Sequence, residues 1–303
     1  MSLAAKLPYD HPYAGGYPGL SSQALPTDAD ALDYLARVKA ADGAGVEVGV
    51  ATAVDAFFRD LKATPGLFDA IKASCILCGA RTLAGALVPV VGDAPTNVAD
   101  GFVEGDFSRT SGLTGDGATT YLDTGRAYAD DPQNSNHIAA YLSAINADEN
   151  YAGAGDTTVA FTRLGYFTSQ LRYGVRTLQQ NGPATLATGF MAAGRSDGSD
   201  VSLRYNGAST TTSAASVSTS GVDVNYTVFV TNYENIGLIG YSASTIAFYS
   251  FGEALSLEAL DTAVSNLINR LKFALLVGEN PSGLDPDTID YIVRGYEAGG
   301  SLE

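Results

Sequence analysis

Between residues 83 and 251 the chain consists of short β-branched and aromatic runs separated by Gly, Asp, Asn and Ser. This punctuation constrains the fold more than any other feature of the sequence. The runs are too short for ordinary helices, and their breakers recur at the spacing of an antiparallel sandwich. Strands are expected near residues 86–91, 101–109, 119–125, 137–145, 158–164, 168–176, 185–193, 201–205, 226–231 and 244–250. Residues 209–220 (STTTSAASVSTS) are uncharged and of low complexity, and read either as a loop or as a Thr-rich exposed edge strand.

One segment, residues 107–126 (FSRTSGLTGDGATTYLDTGR), reads as a hairpin. Extended, β-favouring chain flanks Gly115, Asp116 and Gly117, residues that tolerate the positive φ angles of a tight reversal.

Helical periodicity frames this β-rich region. Residues 27–41 carry a capping Thr27, acidic Asp28 and Asp30 in the first turn, and Leu32, Leu35 and Val38 on one face. Residues 46–63 place Val50, Val54, Phe57, Phe58 and Leu61 together before Pro65 and Gly66 end the helix, and residues 67–77 suggest another short one. Residues 256–277 form the clearest helix: Ser256 caps it, and Leu257, Leu260, Val264, Leu267, Ile268, Leu271 and Leu275 make a wide apolar stripe. A last short helix is expected from Asp285, with Pro286 at its first position, to about Tyr296.

The organisation that follows is a Tyr-rich arm plus helix over 1–46, a helical lead-in with a sandwich and closing helix over 47–276, and a tail over 277–303. The arm sets Tyr9, Tyr13 and Tyr17 among Gly and Pro with no period of its own, so it cannot form a core and is expected to dock on a neighbour. Tyr291 and Tyr296 give the tail the same expected role as assembly contacts.

Charge excludes one class of partner. With 33 acidic and 17 basic side chains the formal net charge is −16, which repels nucleic acid. The two cysteines, Cys75 and Cys78, lack the further ligands a zinc site needs, and a buried reduced pair is the favoured reading. Arg81 and Pro89 interrupt the most apolar stretch, residues 75–92, so no membrane insertion is expected. Residues 1–19 do not read as a secretory signal, and synthesis in the cytosol is expected.

Five blocks carry a resemblance: residues 57–61 (FFRDL), 79–88 (GARTLAGALV), 107–126, 131–141 (DPQNSNHIAAY) and 246–260 (IAFYSFGEALSLEAL). Together they make residues 47–276 similar to bacteriophage virion proteins with a concanavalin A-like (laminin G-like) jelly-roll domain. The resemblance implies a mainly β fold, an antiparallel jelly-roll sandwich with N-terminal helices and a closing C-terminal helix. It also implies a non-enzymatic structural role in a virion, as tail fibre, baseplate appendage or capsid decoration, with other virion proteins as partners and a homo-oligomer such as a trimer. Folds of this kind also bind carbohydrate or cleave it, so a host glycan partner is the alternative and glycan cleavage a third reading.

Candidate chemistry is sparse. Retaining glycanases of this fold use Glu-x-Asp-x-x-Glu on one strand face; here Glu104 and Asp106 are followed by Arg109 where the proton donor should stand. His137 lies in an alternating stretch and is expected to be structural, and His11 falls in the arm. No cofactor is expected. Structural calcium is a minor possibility at Asp130–Asp131, Asp148–Glu149 or Asp197–Asp200, where solvated turns are favoured. For a sugar platform the candidates are Tyr128, Tyr151, Tyr166, Tyr173, Tyr205, Tyr233 and Tyr241, residues that serve equally well in a core or an interface.

Overall fold

Strands that are apolar on both faces can only sit between two cores, and this chain has several. The computed structural model describes residues 26–98, 101–218 and 221–279; Tyr9, Tyr13, Tyr17, Tyr291, Tyr296 and the expected helix at 285–296 lie outside them. In chain order the elements are α1 (Ala29–Asp42), α2 (Val48–Ala63), α3 (Leu67–Ala70), β1 (Ile71–Ile76), α4 (Leu83–Ala86), β2 (Pro89–Val91), β3 (Thr96–Asn97), β4 (Phe107–Ser108), β5 (Gly112–Thr114) and β6 (Leu122–Ala127). These are followed by β7 (Asn136–Ala144), β8 (Glu149–Gly155), β9 (Phe161–Phe167), β10 (Gln170–Thr177), β11 (Gln180–Asn181), β12 (Gly189–Arg195), β13 (Asp200–Tyr205) and β14 (Ala208–Ser213). The last are β15 (Asn225–Val228), β16 (Thr231–Tyr233), β17 (Gly237–Ile239), β18 (Thr245–Gly252) and α5 (Leu257–Glu279).

Two sheets form a jelly-roll sandwich. The first runs β14-β13-β12-β7-β18-β1-β2, with β5 on β18 and β4 on β5; the second runs β11-β10-β9-β8-β15-β6-β3, with β16 and β17 attached. Pairing is antiparallel except where β16 runs parallel to β8. Between the sheets lies one core, fed by alternate residues of each strand: Ile138, Ala140 and Leu142 from β7, Met191 and Ala193 from β12, Leu164 and Tyr166 from β9, and Leu171, Tyr173 and Val175 from β10.

The intervening residues of the first sheet face a second core. Ile71, Ala139, Phe190, Ala192 and Phe248 pack there against Tyr34 and Val38 of α1, Phe57, Phe58 and Leu61 of α2, and Leu260, Val264, Leu267 and Leu271 of α5. The layers are therefore helices, first sheet, core, second sheet. Ion pairs lock the helices in place. Lys62 reaches Asp28 at 2.6 Å and Asp30 at 2.5 Å, Arg270 reaches Asp60 at 2.9 Å, and Arg204 of β13 reaches Asp261 of α5 at 2.7 Å.

Several sequence expectations change. Asp28, not Thr27, caps α1, accepting from the amides of Asp30 and Ala31. The helix expected over 67–77 is one turn, α3, followed by the strand β1. Its apolar run faces both cores, Ala73 and Cys75 inward and Ile71 and Ile76 toward the helices, so it has no alternation to read. Residues 86–91 start as the end of α4, and residues 104–106 form a 3₁₀ turn where a strand was expected. Strand β8 (ENYAGAG) was missed because its small residues look like a loop. The stretch at 209–213 is indeed an edge strand, β14.

The expected hairpin at 107–126 is the largest correction. Its flanks do not pair with each other: β5 joins the first sheet through β18, and β6 joins the second through β15. Residues 115–121 are thus a crossover between sheets. A Cβ at Gly115 would lie 2.0 Å from the Ser242 carbonyl oxygen, so only glycine permits this close passage. Against the opposing effect of burial, the Thr119 hydroxyl and the amides of Thr119, Thr120 and Ala118, all donating to the Asp116 carboxylate, hold its pKa below the usual carboxylate range. Ser256 does cap α5, its hydroxyl accepting the Ala259 amide at 3.2 Å.

Candidate functional site on the outer face of the second sheet

Alternation along β9 sends Leu164 and Tyr166 into the core and turns Phe161, Arg163, Gly165 and Phe167 outward. Among the described residues no helix covers this face. Here the half-buried Arg163 guanidinium lies 4.6 Å from the centre of the Phe161 ring and 5.8 Å from that of Phe167. Its Nη1 donates to the Tyr233 hydroxyl at 2.7 Å and its Nη2 to Gln179 Oε1 at 2.5 Å. Nε has no hydrogen-bond partner, and no ion pair among the described residues involves this arginine.

The surroundings fix the arginine. Phe161 is buried with an edge contact to Tyr233, ring centres 6.1 Å apart. It fits because position 174 of the neighbouring β10 is glycine: a Cβ there would stand 2.7 Å from the Phe161 ring. Gln179 Nε2 reaches on to Asn181 Oδ1 at 3.2 Å, extending a line of amides along the edge. Nearby, fully buried Asn150 donates to the Ile239 carbonyl at 2.8 Å and leaves its Oδ1 unpartnered. This array offers a cation stacked on aromatic faces beside planar amides. It can orient a polar ligand, and its Tyr233 hydroxyl is taken up by Arg163.

The residues singled out by the sequence are placed elsewhere. Glu104 accepts the Leu83 amide at the start of α4, and Asp106 the Val103 amide, so neither stands on a strand face. Arg109 forms a two-pronged pair with Glu47, 3.2 and 2.6 Å, which lowers the Glu47 pKa and ties α2 to the sandwich. Buried His137 bonds the Glu253 carbonyl through Nδ1 at 2.6 Å and Ser250 Oγ through Nε2 at 2.8 Å. A carbonyl only accepts, so Nδ1 carries the proton, and burial lowers the imidazole pKa to about 4. Such a histidine is a strut.

The loop acids have backbone or side-chain partners of their own. Glu149 holds Ser242, Ala243 and Ser244 at 2.7, 2.8 and 2.7 Å; the carbonyls of Ser244 and Ser242 in turn accept the amides of Gly115 and Gly117 in the crossover. Asp131 pairs with Arg126, Asp130 accepts the Ala127 amide, Asp148 the Thr168 amide, and Asp197 the amides of Ser199 and Asp200. Among the described residues, no group of three or more His, Cys, Asp or Glu is gathered as a metal site. Cys75 and Cys78 are free and buried, and burial pushes both thiols up to about 12.

The expected tyrosine platform does not assemble. Tyr128, Tyr151, Tyr166, Tyr173 and Tyr205 point into the core between the sheets, and Tyr241 packs on Tyr121. Of the seven candidates, Tyr233 alone belongs to the outer-face array. Arg163, Phe161 and Phe167 were missed, although FTRLGYF alternates cleanly and could have marked an arginine between aromatics on an exposed face.

No protein-family model and no curated protein matches the chain. Solved structures share parts of its shape. The CBM40 of the Ruminococcus gnavus IT-sialidase, bound to alpha2,3 sialyllactose, is 13% identical over 49% of this chain and 95% of its own, with a TM-score of 0.36. The binding domain of botulinum neurotoxin serotype D is 10% identical over 68% of this chain and 52% of its own, with a TM-score of 0.46. For a NanB sialidase from Streptococcus pneumoniae the values are 11%, 49%, 27% and 0.38, so the match spans about a quarter of that enzyme. At this level the likeness is partial, and none of these ligands or activities transfers to the present chain.

Proposed function

We propose that this chain is a non-enzymatic structural component of a bacteriophage particle, a jelly-roll body that joins its neighbours through its helical layer and flanking segments. One observation carries the reading. The described fold begins at α1 and ends at α5, and both helices belong to the layer over the first sheet. The resemblance of residues 47–276 to virion proteins supplies the setting. Deleting residues 1–26 leaves Thr27, whose amide bonds Asp55, and so preserves the lock between α1 and α2. The truncated protein is expected to fold and to fail to enter particles; normal incorporation would sink the docking role of the arm.

The array around Arg163 favours a second reading, recognition of a surface glycan by the uncovered sheet. Sugar rings stack on aromatic faces, and their hydroxyls suit guanidinium and amide groups. Binding on a glycan array by the purified protein, lost in Arg163→Ala, is the expected outcome. A silent array with the unaltered protein would remove this reading without touching the first.

A further inference from the structure

The main paths of the two sheets have four ends, β14 and β2 in the first and β11 and β3 in the second, and the attached branches end in the short strands β4 and β17. An end strand exposes unpaired backbone donors and acceptors, and proteins blunt such edges by shortness, charge, proline or a bulge. Three of the four are blunted. β11 and β3 are two residues long, and β2 has three beginning with Pro89, whose carbonyl is occupied by Arg37 at 2.7 Å.

β14 has none of these protections. Its six residues, ASTTTS, pair with β13 in unbroken register from Tyr205↔Ala208 to Asp200↔Ser213. All but Thr212 are exposed, and none is charged or proline. The chain beyond it keeps to the β13 side, its amides at 214, 216 and 217 bonding the carbonyls of Ser199, Gly198 and Arg176, so the described residues leave the far edge open.

We propose that β14 pairs antiparallel with β14 of a second copy, continuing the first sheet across a two-fold axis. Charge argues for a copy of this chain as occupant. At −16 net, most contacts between two copies bring carboxylates together, yet residues 205–222 contain no charged side chain. Antiparallel self-pairing there sets Thr and Ala against Thr and Ser, combinations that suit a pleated surface and avoid like charges. The pairing is independent of the virion reading, which is measured by incorporation into particles, not by association of the purified protein.

Sedimentation of the full chain from about 1 to about 100 µM tests it. A reversible dimer is expected, weakened about tenfold or more by Thr211→Lys, which puts on the edge the charged side chain that blunts strand pairing, and unchanged by Thr188→Lys at another exposed site. Thermal unfolding checks that both variants are folded, and hydrogen exchange at residues 208–213 should slow with increasing concentration. A protein monomeric throughout this range overturns the proposal. So does a dimer that Thr211→Lys leaves intact, or one in which those amides stay unprotected.

Discussion

The two outer faces of this sandwich are built from similar strands but have opposite fates. The first sheet's outer face is sealed beneath α1, α2 and α5, and its outward residues, Phe190, Ala192 and Phe248, are as apolar as those turned inward. Among the described residues no helix lies over the second sheet's outer face, which carries Arg163 between the rings of Phe161 and Phe167 and bonded to Gln179. The difference shows how the chain divides its work. One face contributes stability, while the other keeps polar groups half in water, where a ligand can reach them.

The largest expected contrast is Phe57→Ala against Phe167→Ala. Phe57 is fully buried, with Phe248 at 6.0 Å and Phe58 at 6.1 Å, and its truncation should cost about 3–5 kcal/mol. Phe167 is half-buried on the open face, and its loss should cost about 1 kcal/mol. Denaturant unfolding of both variants measures the difference; equal losses would break the division between faces.

The next effect depends on pH. His137 lies on the sealed side of the first sheet, with a pKa lowered by burial from 6.5 to about 4. The unfolded chain therefore binds the proton more tightly, so this contribution is complete above pH 6.5 and is lost as pH falls toward 4, by up to about 1.4 kcal/mol per unit. His137→Gln should flatten that part of the stability profile. An unchanged slope would assign it to other groups.

The smallest effect is expected at Arg163. Removing it breaks two hydrogen bonds and an aromatic stack on a half-exposed surface, about 1 kcal/mol in unfolding experiments. A much larger loss would make it part of the scaffold and weaken the glycan reading.

Much of this was legible in the sequence. The apolar stripe and Ser256 cap of α5 are local signals, as is the alternation of VSLRY in β13. Arg163 was legible in principle, between Phe161 and Phe167 at the two-residue period, but nothing local said which face of β9 would stay bare. Asp116 was recognised as a turn residue, yet its turn joins two sheets instead of closing a hairpin.

By itself, then, the sequence determined the sandwich class, the framing helices and the acidity, because periodicity, capping and charge can be read without knowing the fold. Tertiary structure alone decided which sheet each strand joins, that β1 is a strand with a core on either side, and which outer face receives the helices. These depend on partners far along the chain: Cys75 pairs with Tyr249, and Gly115 passes beneath Ser242. No local pattern encodes a neighbour more than a hundred residues away. The glycines of 107–126 permit the crossing, but the strands on either side, packed against their own sheets, give it direction.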